Sequence, residues 1–357
     1  MKRRTFLTSV MSALSLAETV KANEDQLKKN GKSAILLWMG GGPSTMDIWD
    51  LKPGAPTGGA FRPIATSGDV QITEHMPLMA KQMHNAAIVR SMSTREADHM
   101  RGRYYMHTGY VPNPSIDHPS YGSVLSHQLR RNDLAIPQFI SVGGGSMGAG
   151  FLGAKYNPFV VNSDGRIRNL DMKVDQRFYQ RAYALDAIES NFINQRRGSL
   201  AKEHQAILKE TFNVLTSAQM DALKVASEPE NIKERYGNNN FGKGCLMARR
   251  LVEAGVPFIE VNLGGWDNHQ NIFPTLRDTK LPMLDQGMSA LYEDLEQRGL
   301  LQDTAIIWMG EFSRTPRING NAGRDHWARS WSVVVGGAGM NGGIAIGETN
   351  SDGTRVE

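Results

Sequence analysis

Residues 33–50 have the sequence SAILLWMGGGPSTMDIWD, in which an unbroken apolar run ends in three glycines. An apolar run without polar alternation is typical of a strand buried on both faces, and the glycines open a loop after it. The same pattern predicts further buried strands at residues 86–90, 137–142, 257–263, 304–309 and 331–335. Strands of this kind are characteristic of parallel sheets that are covered on both faces.

Helical patterns lie between the predicted strands, at residues 121–131, 242–254 and 281–298, and another passes through residues 104–106. This alternation predicts one α/β domain over residues 23–357, a doubly wound and mostly parallel sheet with helices on both faces. Residues 174–231 are charged and helical without strand runs, so we predict a helical insertion there. Two ordinary surface helices of the same domain are the alternative.

The first 22 residues differ from the rest of the chain. Lys2, Arg3 and Arg4 precede a mildly apolar run, and small residues close the segment at Ala22, which is the order of a secretory signal peptide. The arginine pair followed by Thr-Phe-Leu resembles a twin-arginine signal, which exports folded proteins. We therefore expect a periplasmic or secreted protein; a basic cytosolic tail is the alternative.

Charge and hydropathy argue against nucleic-acid binding and against membrane insertion. Removing residues 1–22 takes away four basic side chains and one acidic side chain, so the formal net charge falls from +4 to +1. A nearly neutral chain without a basic stripe offers no electrostatic surface for nucleic acid. No later run of about 18 apolar residues occurs, so we expect no membrane span.

Polar side chains follow the predicted strands, and ligands of open α/β sheets bind at the carboxyl ends of strands. The loops carry Asp47, Asp98 with His99, Asp267 with His269, Glu311, and Asp325 with His326. Carboxylates that are brought together repel one another unless a cation lies among them, and mixed oxygen and nitrogen ligands suit zinc, manganese or calcium. We predict a divalent metal site; a metal-free hydrogen-bonded network is the alternative.

Four segments resemble the bacterial family known as domain of unknown function 1501. They are GGPSTMDIWDLKP at 41–53, GWDNH at 265–269, GEFSRTP at 310–316 and GRDHW at 323–327, and the similarity runs from about residue 33 to the end. The family is placed in the alkaline phosphatase-like superfamily, beside sulfatases, alkaline phosphatases and cofactor-independent phosphoglycerate mutases. The resemblance implies their fold and a site with one or two divalent metals and a nucleophile.

The resemblance also implies metal-binding roles for particular residues. Those that match the superfamily's metal ligands are Asp47, Asp267, His269, Glu311 and His326. Phe312 stands where a metal-binding histidine should follow the acidic residue. That departure argues against a complete site for two metals.

The nucleophile position departs further from the superfamily pattern. Sulfatases carry a modified cysteine or serine at the start of the helix after the second strand, and His99 matches that position here. Ser93 or Thr94 is the alternative nucleophile if the helix begins there, because helix N-terminal amides stabilise an anion.

Proton transfer and oxyanion binding also have candidate residues. His99 or Asp325 is a candidate for proton transfer, and Arg103 or Arg314 is a candidate for holding the oxyanion. An internal salt bridge is the alternative for Arg314.

The leading functional prediction is an exported, metal-dependent hydrolase of sulfate or phosphate esters, acting on a small molecule or a glycan. A non-catalytic protein that binds a glycan or an anion on the same fold is the main alternative. A third interpretation, an isomerase or group transferase, requires a covalent intermediate on His99 or Ser93.

The end of the sequence lacks the helix that normally covers the last strand of a doubly wound sheet. This predicts that the chain is truncated at residue 357. It also predicts that Trp331, Val333 or Val335 is partly exposed.

Overall fold

The computed structural model describes residues 31–166, 176–194 and 217–357. The predicted signal peptide at 1–22 lies outside the described residues, and the insertion predicted at 174–231 is described only in part. Within the described residues, no helix has both the length and the apolar character needed to cross a membrane.

The strands and helices are numbered in chain order. The strands are β1 Ser33–Trp38, β2 Pro63–Ala65, β3 Gln71–Thr73, β4 Ala86–Met92, β5 Phe139–Val142, β6 Phe159–Val161, β7 Phe258–Asn262, β8 Thr304–Met309, β9 Ser313–Arg314, β10 His326–Trp327, β11 Trp331–Gly337 and β12 Ala345–Ile346. The α-helices are α1 Pro77–Ala80, α2 His99–Thr108, α3 Tyr121–Gln128, α4 Gln176–Asn194, α5 Glu230–Tyr236, α6 Asn240–Glu253, α7 Ile272–Thr275 and α8 Leu281–Gln297. Helix α4 lies inside the predicted insertion, which stays a prediction as a separate unit.

Eight strands form one sheet in the order β12-β4-β11-β8-β1-β7-β5-β6. The six strands predicted from apolar runs are all present, and the α/β fold with a mostly parallel sheet is confirmed. Strand β11 is the exception, because it pairs antiparallel with both β4 and β8. After β8 the chain forms the β9–β10 hairpin and has no crossover helix. Strand β11 therefore starts at the end of the sheet where β8 stops and runs in the opposite direction.

The two faces of β1 separate the interior into two apolar layers. Ile35 and Leu37 face the layer that contains α6 and α8, whereas Leu36 and Trp38 face the layer beneath α2 and α3. Fully burying one such aliphatic side chain contributes about 1.5–3 kcal/mol. Because β1 side chains on both faces of the sheet are buried in apolar layers, the apolar run has no position for a polar residue. The predicted helices on both faces of the sheet are confirmed.

The expected exposure near the last long strand is wrong for two of its three residues. Trp331 is 2% exposed and Val333 is 6% exposed. Both belong to the apolar layer that also contains Met106 and the partly buried Tyr105 of α2. This layer therefore buries the side chains that the sequence suggested were open. The predicted truncation itself stays a prediction.

Helix α2 begins at His99, directly after the capping residue Asp98. The side chain of Asp98 accepts a hydrogen bond from the Arg101 amide at 3.1 Å, and Gly109 ends the helix in the left-handed region at φ 78°. His99 is thus the first residue of the helix. The alternative start near Ser93 is wrong, because that residue precedes the cap by five positions.

Candidate metal centre

Five of the predicted polar residues meet at the carboxyl edge of the central strands. His99 starts α2, Asp267 and His269 follow β7, Glu311 follows β8, and His326 lies on β10. Strands β8, β1 and β7 are neighbours in the sheet, so the loops that follow them share one edge.

The closest group consists of His99, Asp267 and His326, whose candidate ligand atoms all lie within 4.8 Å of one another. His99 Nε2 lies 3.3 Å from Asp267 Oδ2, and His326 Nε2 lies 3.3 Å from Asp267 Oδ1. His269 Nε2 is beside them, 3.0 Å from Asp267 Oδ1 and 3.3 Å from His326 Nε2. Among the described residues, His99 Nε2 is buried without a hydrogen-bond partner.

The other ring nitrogen of each imidazole faces a hydrogen-bond acceptor. His99 Nδ1 lies 2.7 Å from Glu311 Oε1, and His269 Nδ1 lies 2.7 Å from Asp325 Oδ1. His326 Nδ1 lies 2.9 Å from the backbone carbonyl of residue 97. Since these partners can only accept, each Nδ1 carries the hydrogen. The three Nε2 atoms therefore all face the carboxylate of the cluster.

Arg314 is fully committed to the protein around the cluster. Its Nε donates to the Gly42 carbonyl at 2.7 Å, and its Nη2 donates to Asp267 Oδ1 at 2.5 Å and to the Gly41 carbonyl. Its Nη1 faces His269 Nε2 at 3.3 Å and a carbonyl at 3.5 Å. The structure therefore shows an internal salt bridge between Arg314 and Asp267, and the oxyanion role of Arg314 stays a prediction.

The charge of Arg314 acts on Asp267. Burial alone would raise the pKa of this carboxyl group, but the hydrogen bond and charge of Arg314, helped by the neighbouring imidazoles, lower that pKa to about 2. Burial in turn lowers the pKa of the Arg314 guanidinium. Asp267 is therefore a carboxylate at every pH near neutrality.

Asp47 lies in a buried ion pair with an arginine, and its role as a metal ligand stays a prediction. Both of its oxygens are bound by Arg324, with Nε to Oδ2 at 2.8 Å and Nη2 to Oδ1 at 2.9 Å. Ser44 Oγ donates to Oδ2 at 2.6 Å. The carboxylate and the guanidinium are 1% and 0% exposed, so this is a buried bidentate ion pair. Asp47 is the counter-ion of an arginine that the sequence did not single out.

Glu311 also lies behind the cluster. Its Oε1 accepts from His99 Nδ1 and from the Gly41 amide at 2.9 Å, so it orients an imidazole. Among the described residues, its buried Oε2 has no hydrogen-bond partner. The ring of Phe312 lies against the rings of His99 and His326, with centroids 5.0 and 4.8 Å apart. An apolar floor therefore stands where the resemblance suggested a further histidine.

The remaining predicted residues lie around this centre. Asp325 is exposed, and its hydrogen bond with His269 lowers its pKa. Arg103 lies one turn after His99, with Nη2 bound to the Gly145 carbonyl and with a buried Nε that has no partner among the described residues. Thr94 Oγ1 accepts from the Glu96 amide at 3.2 Å. The predicted nucleophile roles of Ser93 and Thr94 stay predictions.

Two loops at the cluster require a glycine, because their backbones pass very close to neighbouring backbone atoms. Gly41 has φ 114°, and a β-carbon there would lie 2.6 Å from the amide nitrogen of Asp267. A β-carbon on Gly323 would lie 2.1 Å from the backbone of His269. Both loops must approach the cluster backbone to backbone, which any larger residue would prevent.

The sequence did not place His99 among the candidate metal ligands, because the resemblance assigned its position to a nucleophile. The signal that could have identified it is local. Asp98 is a capping residue, and a cap there places His99 on the first turn, at the carboxyl edge of the sheet.

Comparison with solved structures finds proteins similar to this chain in fold. One is alkaline phosphatase from the Antarctic bacterium TAB5, with 15% identity and a TM-score of 0.40, covering 90% of this chain and 95% of that one. Another is the PsFucS1 sulfatase from Pseudoalteromonas sp., with 14% identity and a TM-score of 0.39, covering 94% and 69%. A protein in the alkaline phosphatase superfamily from Vibrio parahaemolyticus has 12% identity and a TM-score of 0.39, covering 90% and 64%.

A search of curated proteins finds no match to this sequence. A family model described as "Protein of unknown function (DUF1501)" matches residues 31–357, which include every described element of the fold and the three residues of the candidate cluster. The chain therefore belongs to the DUF1501 family.

Proposed function

We propose that His99, Asp267 and His326 hold a divalent metal ion and that the protein is a metal-dependent hydrolase of sulfate or phosphate esters. The observation that carries the proposal is the convergence of imidazole Nε2 atoms on one carboxylate, with every Nδ1 already bound to an acceptor. Carboxylate- or carbonyl-oriented histidines are the usual surroundings of protein-bound zinc.

Two of the distances are close to those around such an ion. Zinc bound tetrahedrally at about 2.0–2.1 Å separates its ligand atoms by about 3.3–3.4 Å. His99 Nε2 lies 3.3 Å from Asp267 Oδ2 and His326 Nε2 lies 3.3 Å from Asp267 Oδ1, and one ligand atom from each of the three residues lies within 4.8 Å of the others. An unpartnered, buried Nε2 on His99 is a lone pair without a donor, which a cation would satisfy. Three protein ligands with room for one more are the pattern of a catalytic site.

Such an ion would supply Lewis-acid polarisation of an ester oxygen and activation of a water molecule. The chain's own groups would handle the proton. His269 holds a hydrogen on Nδ1 against Asp325 and presents Nε2 to the cluster, so it is placed to accept a proton there. Arg103, with its spare Nε–H one turn from His99, is the arginine left to hold the ester anion. The ester class itself follows from the family resemblance of the sequence motifs.

A non-catalytic anion-binding protein is the second candidate. It is favoured by the internal salt bridge of Arg314, whose guanidinium is engaged by Asp267 and not left free for a reacting ester. That observation does not oppose hydrolysis by an activated water, which needs no protein nucleophile.

Metal analysis combined with an ester screen tests the proposal. We expect His326→Ala to bind one zinc ion fewer per chain than the wild type and to lose hydrolysis of aryl sulfates or aryl phosphates. His84→Ala is the control, because that exposed imidazole bonds to Ser67 and is not one of the cluster residues. Equal metal content in wild type and His326→Ala would refute the site. Metal binding without turnover of any ester would favour the anion-binding protein.

A further inference from the structure

Arg103 on α2 carries a positive charge that no carboxylate balances within the described part of the chain. Its side chain is half-buried, and its Nη2 donates to the Gly145 carbonyl. Its buried Nε has no hydrogen-bond partner among the described residues. A half-buried guanidinium without a counter-ion is costly unless an anion binds to it. Whatever fixes the direction of this side chain therefore affects how well the protein binds an anion.

The carbonyl that holds Arg103 belongs to the glycine-rich loop after β5. Ser141 Oγ donates to the Gly144 carbonyl at 2.7 Å and so fixes the start of this loop. A β-carbon on Gly145 would have no atom within 4 Å, so packing does not hold that residue. Ser146 Oγ donates to Glu260 Oε2, which is the one hydrogen bond of this side chain to the described residues. The loop is therefore held next to Gly145 by a bond to Glu260.

Glu260 is buried and paired, so its carboxylate has a fixed place in the sheet. It lies on β7 and is 0% exposed, and His107 Nε2 lies 3.4 Å from its Oε2. His107 Nδ1 lies 2.9 Å from the Arg103 carbonyl. A proton on each ring nitrogen satisfies both acceptors and balances the charge of the buried carboxylate. Glu260 is thus connected to α2 through His107 and to the loop through Ser146, and both connections lead to Arg103.

We propose that Glu260 is a positioning residue for Arg103, because through Ser146 it fixes the loop whose Gly145 carbonyl directs the guanidinium. The inference rests on the proposed function, in which Arg103 holds the anionic group of the ester. A donor that is already in place binds an anion without a further loss of side-chain entropy. Loosening the loop therefore weakens anion binding and leaves the metal cluster unchanged.

Binding of inorganic phosphate, measured by calorimetry on the full chain, tests this inference without requiring turnover. Glu260→Gln would leave His107 without its carboxylate and can unfold the sheet, so the test removes the Ser146 hydroxyl instead. We expect Ser146→Ala to weaken phosphate binding about 10-fold and to raise the KM for an aryl ester similarly, with kcat, zinc content and melting temperature unchanged. Ser146→Thr keeps the hydroxyl and should keep the wild-type affinity. Ser289→Ala is the matched control, because that hydroxyl donates within α8 to the Gln286 carbonyl.

A double-mutant cycle separates positioning from a merely structural effect. In an Arg103→Ala background, Ser146→Ala should weaken phosphate binding no further, because the hydroxyl acts only through that arginine. Equal losses with and without Arg103, unchanged phosphate affinity in Ser146→Ala, or no phosphate binding by the wild type overturns the inference. Coupled losses at the two positions in a protein that binds no zinc would sustain the positioning of Arg103 while refuting the metal-dependent hydrolase.

Discussion

Asp47→Asn removes one negative charge from the buried pair with Arg324 and changes almost no volume. Arg324 cannot turn to water for compensation, because it is 0% exposed and its other N–H groups donate to the carbonyls of Thr57, Thr315 and Pro316. The guanidinium would keep its charge in a dry site and face a neutral amide. The substitution therefore tests whether Asp47 is a counter-ion or a metal ligand.

Breaking a buried ion pair by neutralising one partner typically costs about 3–5 kcal/mol. Two short hydrogen bonds, at 2.8 and 2.9 Å, and the Ser44 contact place Asp47 within that range. We expect this loss in the free energy of unfolding, measured by urea titration with excess chelator present. The control is Asp278→Asn, in an exposed pair with the same bidentate geometry to Arg277, which solvent screens.

The presence or absence of metal separates the two roles. If Asp47 is the counter-ion, the loss is the same with chelator and with zinc. If the variant matches the wild type in chelator and falls behind only when zinc is added, Asp47 is a ligand as the sequence predicted, and the counter-ion role is refuted.

Three further predictions follow from the sequence and the site. Changing Arg3 and Arg4 to lysine should block export, measured by fractionation, because the twin-arginine pathway reads that pair; normal export would exclude the pathway. Glu311→Gln should weaken zinc binding about 10–100-fold in a competition titration, because it loosens the imidazole that Glu311 orients; unchanged affinity would contradict that role. The pKa of Asp267, depressed to about 2, predicts stability that is present above pH of about 4 and lost as pH falls towards 2. Asp267→Asn should remove that acid-dependent part, and an unchanged pH profile of unfolding would count against the pairing with Arg314.

The sequence predicted the strands well because burial on both faces leaves a simple signal. Residues 304–309 are apolar and lead into glycine, and β8 has those bounds. The antiparallel direction of β11 has no such signal, since an antiparallel strand in the middle of a covered sheet is as apolar as a parallel one. Strand β6 has only three residues and lies at the sheet edge, where packing selects the sequence weakly.

The sequence predicted which residues lie close together at the site, but not which side chains bond to each other. The rule that loops meet at the carboxyl edge brought Asp267, His269 and His326 together correctly. That rule could not tell which acidic residues belong to the candidate metal site and which form an ion pair with an arginine. The pairing of Asp47 with Arg324 joins residues 277 positions apart, and nothing local in either segment specifies the other. Which carboxylate receives which cation is decided only by the assembled backbone.

The distance along the chain between the site's parts has a kinetic meaning. His99, Asp267 and His326 come together only after β1, β7, β8 and the β9–β10 hairpin have all docked. Contacts that close loops of this length form late in folding, because chain entropy opposes them until the sheet exists. An ion that binds there would add its free energy to the finished protein alone and none to a partly folded chain. Metal uptake would then mark the last step of folding.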